Sequence, residues 1–185
     1  MNTQEVILVT EKDEVLGSME KMLAHKQGVL HRAFSIFIFD KKGQMLLQQR
    51  ASGKYHGSRL WSNACCSHPY PDEETEVAAQ RRLQEEMGFN TPLEKVFEFI
   101  YKAKVENDLV EHEYDHVFTG IYEGPILTNK TEVEDYCYEE MERIKWAINE
   151  KPEKFTTWFK IAFPTIETWW QQTYGSSESQ KPLMP

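Results

Sequence analysis

The spacing of apolar and polar positions divides the chain into short segments. EVILV (5–9) is too short and too uniformly apolar for an amphipathic helix, and it reads as a buried strand. SMEKMLAH (18–25) reads as one or two helical turns opened by a Ser18 cap. HRAFSIFIF (31–39), rich in aromatic and β-branched residues, predicts a strand. DKKGQ then turns the chain into a second strand, MLLQQR (45–50), with Gly43 offering the positive φ that a tight turn requires. In DEETEVAAQRRLQEEM (72–87), Ala79, Leu83 and Met87 recur at i+4, acids fill the first turn and Gly88 stops the pattern, so a helix is expected. Strands follow over 96–105, 111–122 and 136–140, then helices over 141–149 and 157–174. NACCSHP (63–69) fits neither period and reads as a loop. Strands with interspersed helices predict one α+β sandwich over 1–174, with a disordered tail over 175–185.

Composition narrows the function more than the fold. The 185 residues match one domain at roughly 150 residues each. A formal net charge of −9 repels phosphate backbones and sets nucleic-acid binding aside as the main task. A small anionic substrate stays compatible with that charge if basic residues or bound cations gather locally. No run approaches the ~20 apolar residues that span a bilayer, so no membrane is expected. The N-terminal MNTQEVILVTEKDE resembles no secretory leader, and three cysteines make a poor disulfide framework. The expectation is a cytoplasmic protein, a monomer or weak dimer.

Six histidines in so acidic a chain direct attention to metal chemistry. Glu111 and Glu113 are two apart in a strand and share a face, with His112 opposed to them. Alone, that pair also fits an exposed acidic strand. His25, His31 and His68 complete a possible set of three imidazoles and two carboxylates, suited to Zn²⁺, Mn²⁺ or Fe²⁺, although spacing alone cannot bring the five together. Cys66, two residues before His68, would become a more reactive thiol beside a bound dication; a small buried apolar residue is the plainer alternative, and Cys65 and Cys137 suit it better. Arg81–Glu85 and Arg82–Glu86 are i,i+4 pairs that support a helix surface, or an acidic face that binds Mg²⁺ bridged to phosphates. Arg50 and Lys54 add basic groups suited to a diphosphate.

Ser67–Phe89 resembles the Nudix box, G-x5-E-x7-R-E-U-x-E-E-x-G-U, where U is apolar. Glu73, Arg81, Leu83, Glu85, Glu86, Gly88 and Phe89 match it; Ser67 replaces the leading Gly, and Arg82 replaces the first Glu of R-E-U-x-E-E. AH…LHRAFS, LLQQR…K, WSNACCSHP, RRLQEEMG and EHE, in that order from about Val6 to Trp170, extend the likeness to the type 1 isopentenyl-diphosphate isomerase family. That resemblance implies a Nudix-like α/β/α sandwich of mixed sheets with flanking helices. It implies metal-dependent interconversion of a homoallylic and an allylic diphosphate, isopentenyl and dimethylallyl diphosphate, by proton transfer through a carbocation.

By the same resemblance, His25, His31, His68, Glu111 and Glu113 would bind a divalent metal, Mn²⁺ or Zn²⁺. Glu86 would bind the Mg²⁺ that accompanies the diphosphate, and Arg50, Lys54 and Arg82 would contact its oxygens. Cys66 and Glu113 would form the acid/base pair, Tyr101 would assist proton delivery, and Trp158 would face the cation. The competing expectation is a Nudix-type diphosphate hydrolase, against which Arg82 stands because it removes an acid from the metal-binding stretch.

Overall fold

Nine residues, His31–Phe39, form the strand around which the fold is built. In chain order the elements are β1 (Glu5–Val9), β2 (Val15–Glu20), α1 (Lys21–Gln27), β3 (His31–Phe39), β4 (Met45–Arg50), β5 (Trp61–Asn63) and β6 (Cys65–Ser67). They continue as α2 (Thr75–Met87), β7 (Glu94–Lys104), β8 (Val110–Ile121), β9 (Val133–Glu139), α3 (Met141–Glu150) and α4 (Thr157–Tyr174). The computed structural model describes residues 4–175, so the tail expected beyond Gly175 lies outside the described residues. Among them no helix is long and apolar enough to cross a membrane.

β3 pairs antiparallel with β1, β4 and β6, and parallel with β8. Its side chains alternate between two layers, as a doubly covered strand requires. Phe34, Ile36 and Ile38 pack with Ala78, Ala79, Leu83 and Met87 of α2. Phe37 and Phe39 face the other way, onto Ile144 of α3 and Phe159, Phe163 and Ile166 of α4. The expected mixed-sheet sandwich with flanking helices is therefore present. The i+4 row on α2 is its buried stripe, with Ala79, Leu83 and Met87 all fully inaccessible. At the DKKGQ turn, Gly43 adopts φ 81°, which supports the hairpin reading.

Three local expectations are corrected. Residues 15–20 pair with β1 as an edge strand, so the helix begins only at Lys21; its cap is Glu20, whose carboxylate accepts from the Met22 and Leu23 amides at 2.9 and 2.7 Å, not Ser18. The NACCSHP segment is no free loop: Asn63 ends β5, and Cys65–Ser67 is a strand hydrogen-bonded to β3. A three-residue strand is too short to show a period, and cross-chain pairing creates it. The strand expected over 136–140 starts earlier, at Val133, along β4.

Candidate active site

Strand register assembles the site. The parallel β3–β8 pairing sets His31 beside Glu113, and the antiparallel β7–β8 pairing sets Tyr101 on the other flank of Glu113. The antiparallel β3–β6 pairing sets Cys66 beside Ser35. Because residues in register share a face, four strands present this polar row toward the side where α4 packs. α1 supplies His25 from its buried side. Trp158 enters from the first turn of α4.

His25, His31, His68 and Glu113 each offer one ligand atom, all within 4.8 Å of one another, and all four residues are buried. The imidazoles are oriented from behind. His25 Nδ1–H donates to the Lys21 carbonyl at 2.7 Å, and His31 Nδ1–H donates to the Val29 carbonyl at 2.8 Å. A carbonyl only accepts, which fixes both tautomers and leaves each Nε2 as a bare lone pair. Neither Nε2 has a hydrogen-bond partner although both are buried. Two unpaired acceptors turned toward a third imidazole and a carboxylate are costly in a folded interior unless a cation fills the centre. The donor set therefore fits a divalent metal, imidazole nitrogen with carboxylate oxygen.

Glu111 stands slightly apart. It belongs to a second, overlapping group with His25 and His56 rather than to the tight group of four. His112 faces away, as strand periodicity required, and its Nδ1–H donates to the Gly28 carbonyl at 3.0 Å. Tyr101 donates toward Glu113 Oε2 at 2.7 Å and lies 3.2 Å from Glu111 Oε2. Burial, then Glu113 beside it, pushes the Glu111 carboxyl well up. Burial also works to raise Glu113, but the His31 and His68 imidazoles outweigh it and hold that carboxyl well below the usual range. Burial pushes His68 and His56 down to about 3.

Cys66 has a surround that sequence reasoning missed. Its thiol donates to Asn63 Oδ1 at 3.0 Å and lies 3.4 Å from Ser35 Oγ, whose hydroxyl donates to Asp115 Oδ2 at 2.7 Å. Burial, then Asp115, pushes the thiol up, which makes it a neutral S–H held by polar neighbours. Asp115 was detectable, since Glu111, Glu113 and Asp115 continue one period-2 row. Cys65, by contrast, is fully buried among Ile36, Ala64 and Leu83 in the apolar layer.

A cavity of about 240 Å³ joins these groups to a cationic end, where Lys21, Arg50, Lys54 and Arg82 line its wall. Lys21 and Glu132 were missing from the sequence-based set. Burial, then Lys54 and Arg82, pushes Lys21 down to about 8. Glu132 pairs with Lys54 and, at 3.3 Å, with Arg82. Glu86, buried by α2, accepts from Arg82 at 2.5 Å and from Gln48 at 3.2 Å. The i,i+4 Arg81–Glu85 pair is present at the helix surface, at 3.3 Å. Arg50 packs over the Trp158 ring at 4.9 Å, and Trp158 and Tyr101 are the apolar walls. His25 and His31 lie behind this lining and do not contribute to it.

The chain matches the model of the NUDIX domain family over residues 29–159. It is 47% identical over 169 residues to "Isopentenyl-diphosphate Delta-isomerase 2" of Photorhabdus laumondii, an alignment covering 89% of this chain and 96% of the relative. It is 46% identical over 180 residues to "Isopentenyl-diphosphate Delta-isomerase" of Pectobacterium atrosepticum, covering 97% and 100%. A crystal structure of a MutT protein from Methanosarcina mazei Go1 superimposes with TM-score 0.62 at 16% identity, covering 75% of this chain and 94% of the other, which bears on the fold alone.

Proposed function

The chain belongs to the NUDIX domain family and within it to the isopentenyl-diphosphate Delta-isomerases, and from that premise we propose that it interconverts isopentenyl and dimethylallyl diphosphate at the cavity between Cys66 and Glu113. One observation supports this most: the acid/base candidates, the aromatic walls and the four basic side chains line a single cavity. The cationic end takes the diphosphate, through Lys21, Arg50, Lys54 and Arg82, with Glu86 as the carboxylate for an accompanying Mg²⁺. The five-carbon unit then lies between Cys66 and the Tyr101–Glu113 pair.

The reaction moves one proton onto an alkene carbon and removes another from the far side of the allylic unit. Water would capture the tertiary cation between these events, so the groups must be dry and already placed. Burial of Tyr101, Glu113 and Trp158 meets the first need. The hydrogen bond from the Cys66 thiol to Asn63, its contact with Ser35 and the hydrogen bond from Tyr101 to Glu113 meet the second. A Trp158 face beside the cation contributes roughly 2 kcal/mol when desolvated. His25, His31, His68 and Glu113, with Glu111 beside them, would hold a divalent ion, Mn²⁺ or Zn²⁺, which supplies positive charge that acidifies the proton-bearing group at this end. A hydrolytic role is disfavoured because Arg82, in place of an acid, pairs with Glu85, Glu86 and Glu132 and adds charge for binding instead.

Incubation with isopentenyl diphosphate and Mg²⁺ in D₂O is expected to yield dimethylallyl diphosphate carrying deuterium, read by NMR. Release of phosphate from the substrate without isomerised product would sink the assignment in favour of hydrolysis.

The diphosphate end depends on one backbone feature. Gly57 adopts φ 58°, and a Cβ there would meet Arg50 Nε at 3.2 Å and the Trp158 ring at 3.3 Å. Gly57→Ala is therefore expected to cost about 1–2 kcal/mol from the left-handed backbone alone. It should also raise KM more than it lowers kcat, because it displaces Arg50. Chemical denaturation and initial-rate kinetics check the two parts.

A further inference from the structure

His56 has no part in the reaction or in the tight group of four drawn above, yet it is 5% exposed and groups with His25 and Glu111. Its Nε2 is 3.4 Å from Glu111 Oε1, and its ring packs edge-on to Trp158 at 5.5 Å and Tyr55 at 4.4 Å. Nδ1 has no hydrogen-bond partner, so the carboxylate of Glu111 is the group that determines where the ring proton sits.

Glu111 needs such a partner. Tyr101 carries a single hydroxyl proton, and its shorter contact, 2.7 Å against 3.2 Å, commits that proton to Glu113. Glu111 is 4% exposed, and a buried carboxyl oxygen left without a hydrogen-bond partner is costly. His56 Nε2, 3.4 Å from Glu111 Oε1, is placed to hold it.

The loop is fixed to serve this purpose. Tyr55, His56 and Gly57 are pinned at three successive backbone groups: Asn107 Nδ2 donates to the Tyr55 carbonyl at 2.7 Å, Arg50 donates to the His56 carbonyl at 3.0 Å, and the Gly57 amide donates to Glu106 Oε2 at 3.1 Å. Glu106 and Asn107 form the turn between β7 and β8, the hairpin that carries Tyr101, Glu111 and Glu113. The carboxylates and the ring facing them are thus tied to the same hairpin through Glu106 and Asn107.

We propose that His56 is a positioning residue that holds Glu111 through Nε2–H and so sets the orientation of this carboxylate at the edge of the metal-binding donor group. This rests on the divalent-metal reading of His25, His31, His68 and Glu113. Loss of an outer partner of a metal-binding group typically costs about 10–100-fold in metal affinity or activity.

The test is titration of the purified metal-free chain with Mn²⁺ alone, following the free ion by EPR. His56→Phe keeps the ring packing and removes the N–H, and it is expected to weaken Mn²⁺ binding about 10–100-fold. His56→Gln, whose amide nitrogen reaches the same place, should restore most of that loss. If His56→Phe does not fold by circular dichroism, His56→Ala carries the same expectation. Unchanged affinity in His56→Phe, while His25→Ala abolishes binding, overturns the positioning role and leaves the metal reading standing. A Gln variant as weak as Phe also overturns it, because the ring and not its N–H would then matter. Unchanged affinity in both His56→Phe and His25→Ala overturns the role together with the metal reading.

Discussion

Cys66→Ala is expected to lower kcat by about 10²–10⁴-fold, the range over which a positioned proton-transfer group contributes. The substitution removes the only thiol in the cavity lining while leaving the β3–β6 pairing, which runs through the backbone, in place. Folding and metal content should therefore match the parent, and KM should change little, since the basic groups that take the diphosphate lie at the other end. The adjacent Cys65 provides the internal control. It is buried in the apolar layer under α2, so Cys65→Ala should cost stability and spare turnover. Initial rates with isopentenyl diphosphate, paired with thermal melts, measure both. Near-parental kcat in Cys66→Ala would remove the thiol from the reaction.

The second large effect is expected at Glu113. Glu113→Gln keeps the shape and removes the charge that His68 at 3.0 Å, His31 at 3.6 Å and Tyr101 at 2.7 Å all meet. Two losses coincide there. The donor group loses its carboxylate, which should weaken divalent-metal binding by at least the ~10–100-fold typical of an outer partner. The proton-bearing position is lost as well, adding about 10²–10⁴-fold in kcat. Metal analysis and single-turnover kinetics at saturating Mn²⁺ separate the two. Full activity restored by excess metal would assign Glu113 a binding role only.

Much of this was legible in the linear pattern, for physical reasons. The strand of 31–39 and the i+4 stripe of α2 follow from period alone, because burial on one side selects apolar residues at fixed spacing. The shared face of Glu111 and Glu113 follows from the same rule, as does the exclusion of His112. The conjunction of AH, LHRAFS, ACCSHP and EHE motifs pointed to a divalent-metal site before any geometry was known. Other features carried no local signal. β6 is three residues long and exists because it pairs antiparallel with β3. The cap at Glu20 lies where an edge strand ends, which the helical pattern around Ser18 could not show.

The chain by itself determined the layers of the sandwich, the family and the chemical types available: imidazole, carboxylate, thiol and guanidinium. Periodicity and motif order are local properties, and they survive in one dimension. Which groups meet was decided only in three. The registers of β3 with β8, of β8 with β7 and of β3 with β6 place His31, Glu113, Tyr101, Ser35 and Cys66 as neighbours, although they lie far apart along the chain. His56, Glu132, Asp115 and Lys21 joined them without a motif, because a buried charge recruits whichever partner the fold brings within a few ångströms. Strand register is set by the packing of both faces at once, so no segment read alone contains it.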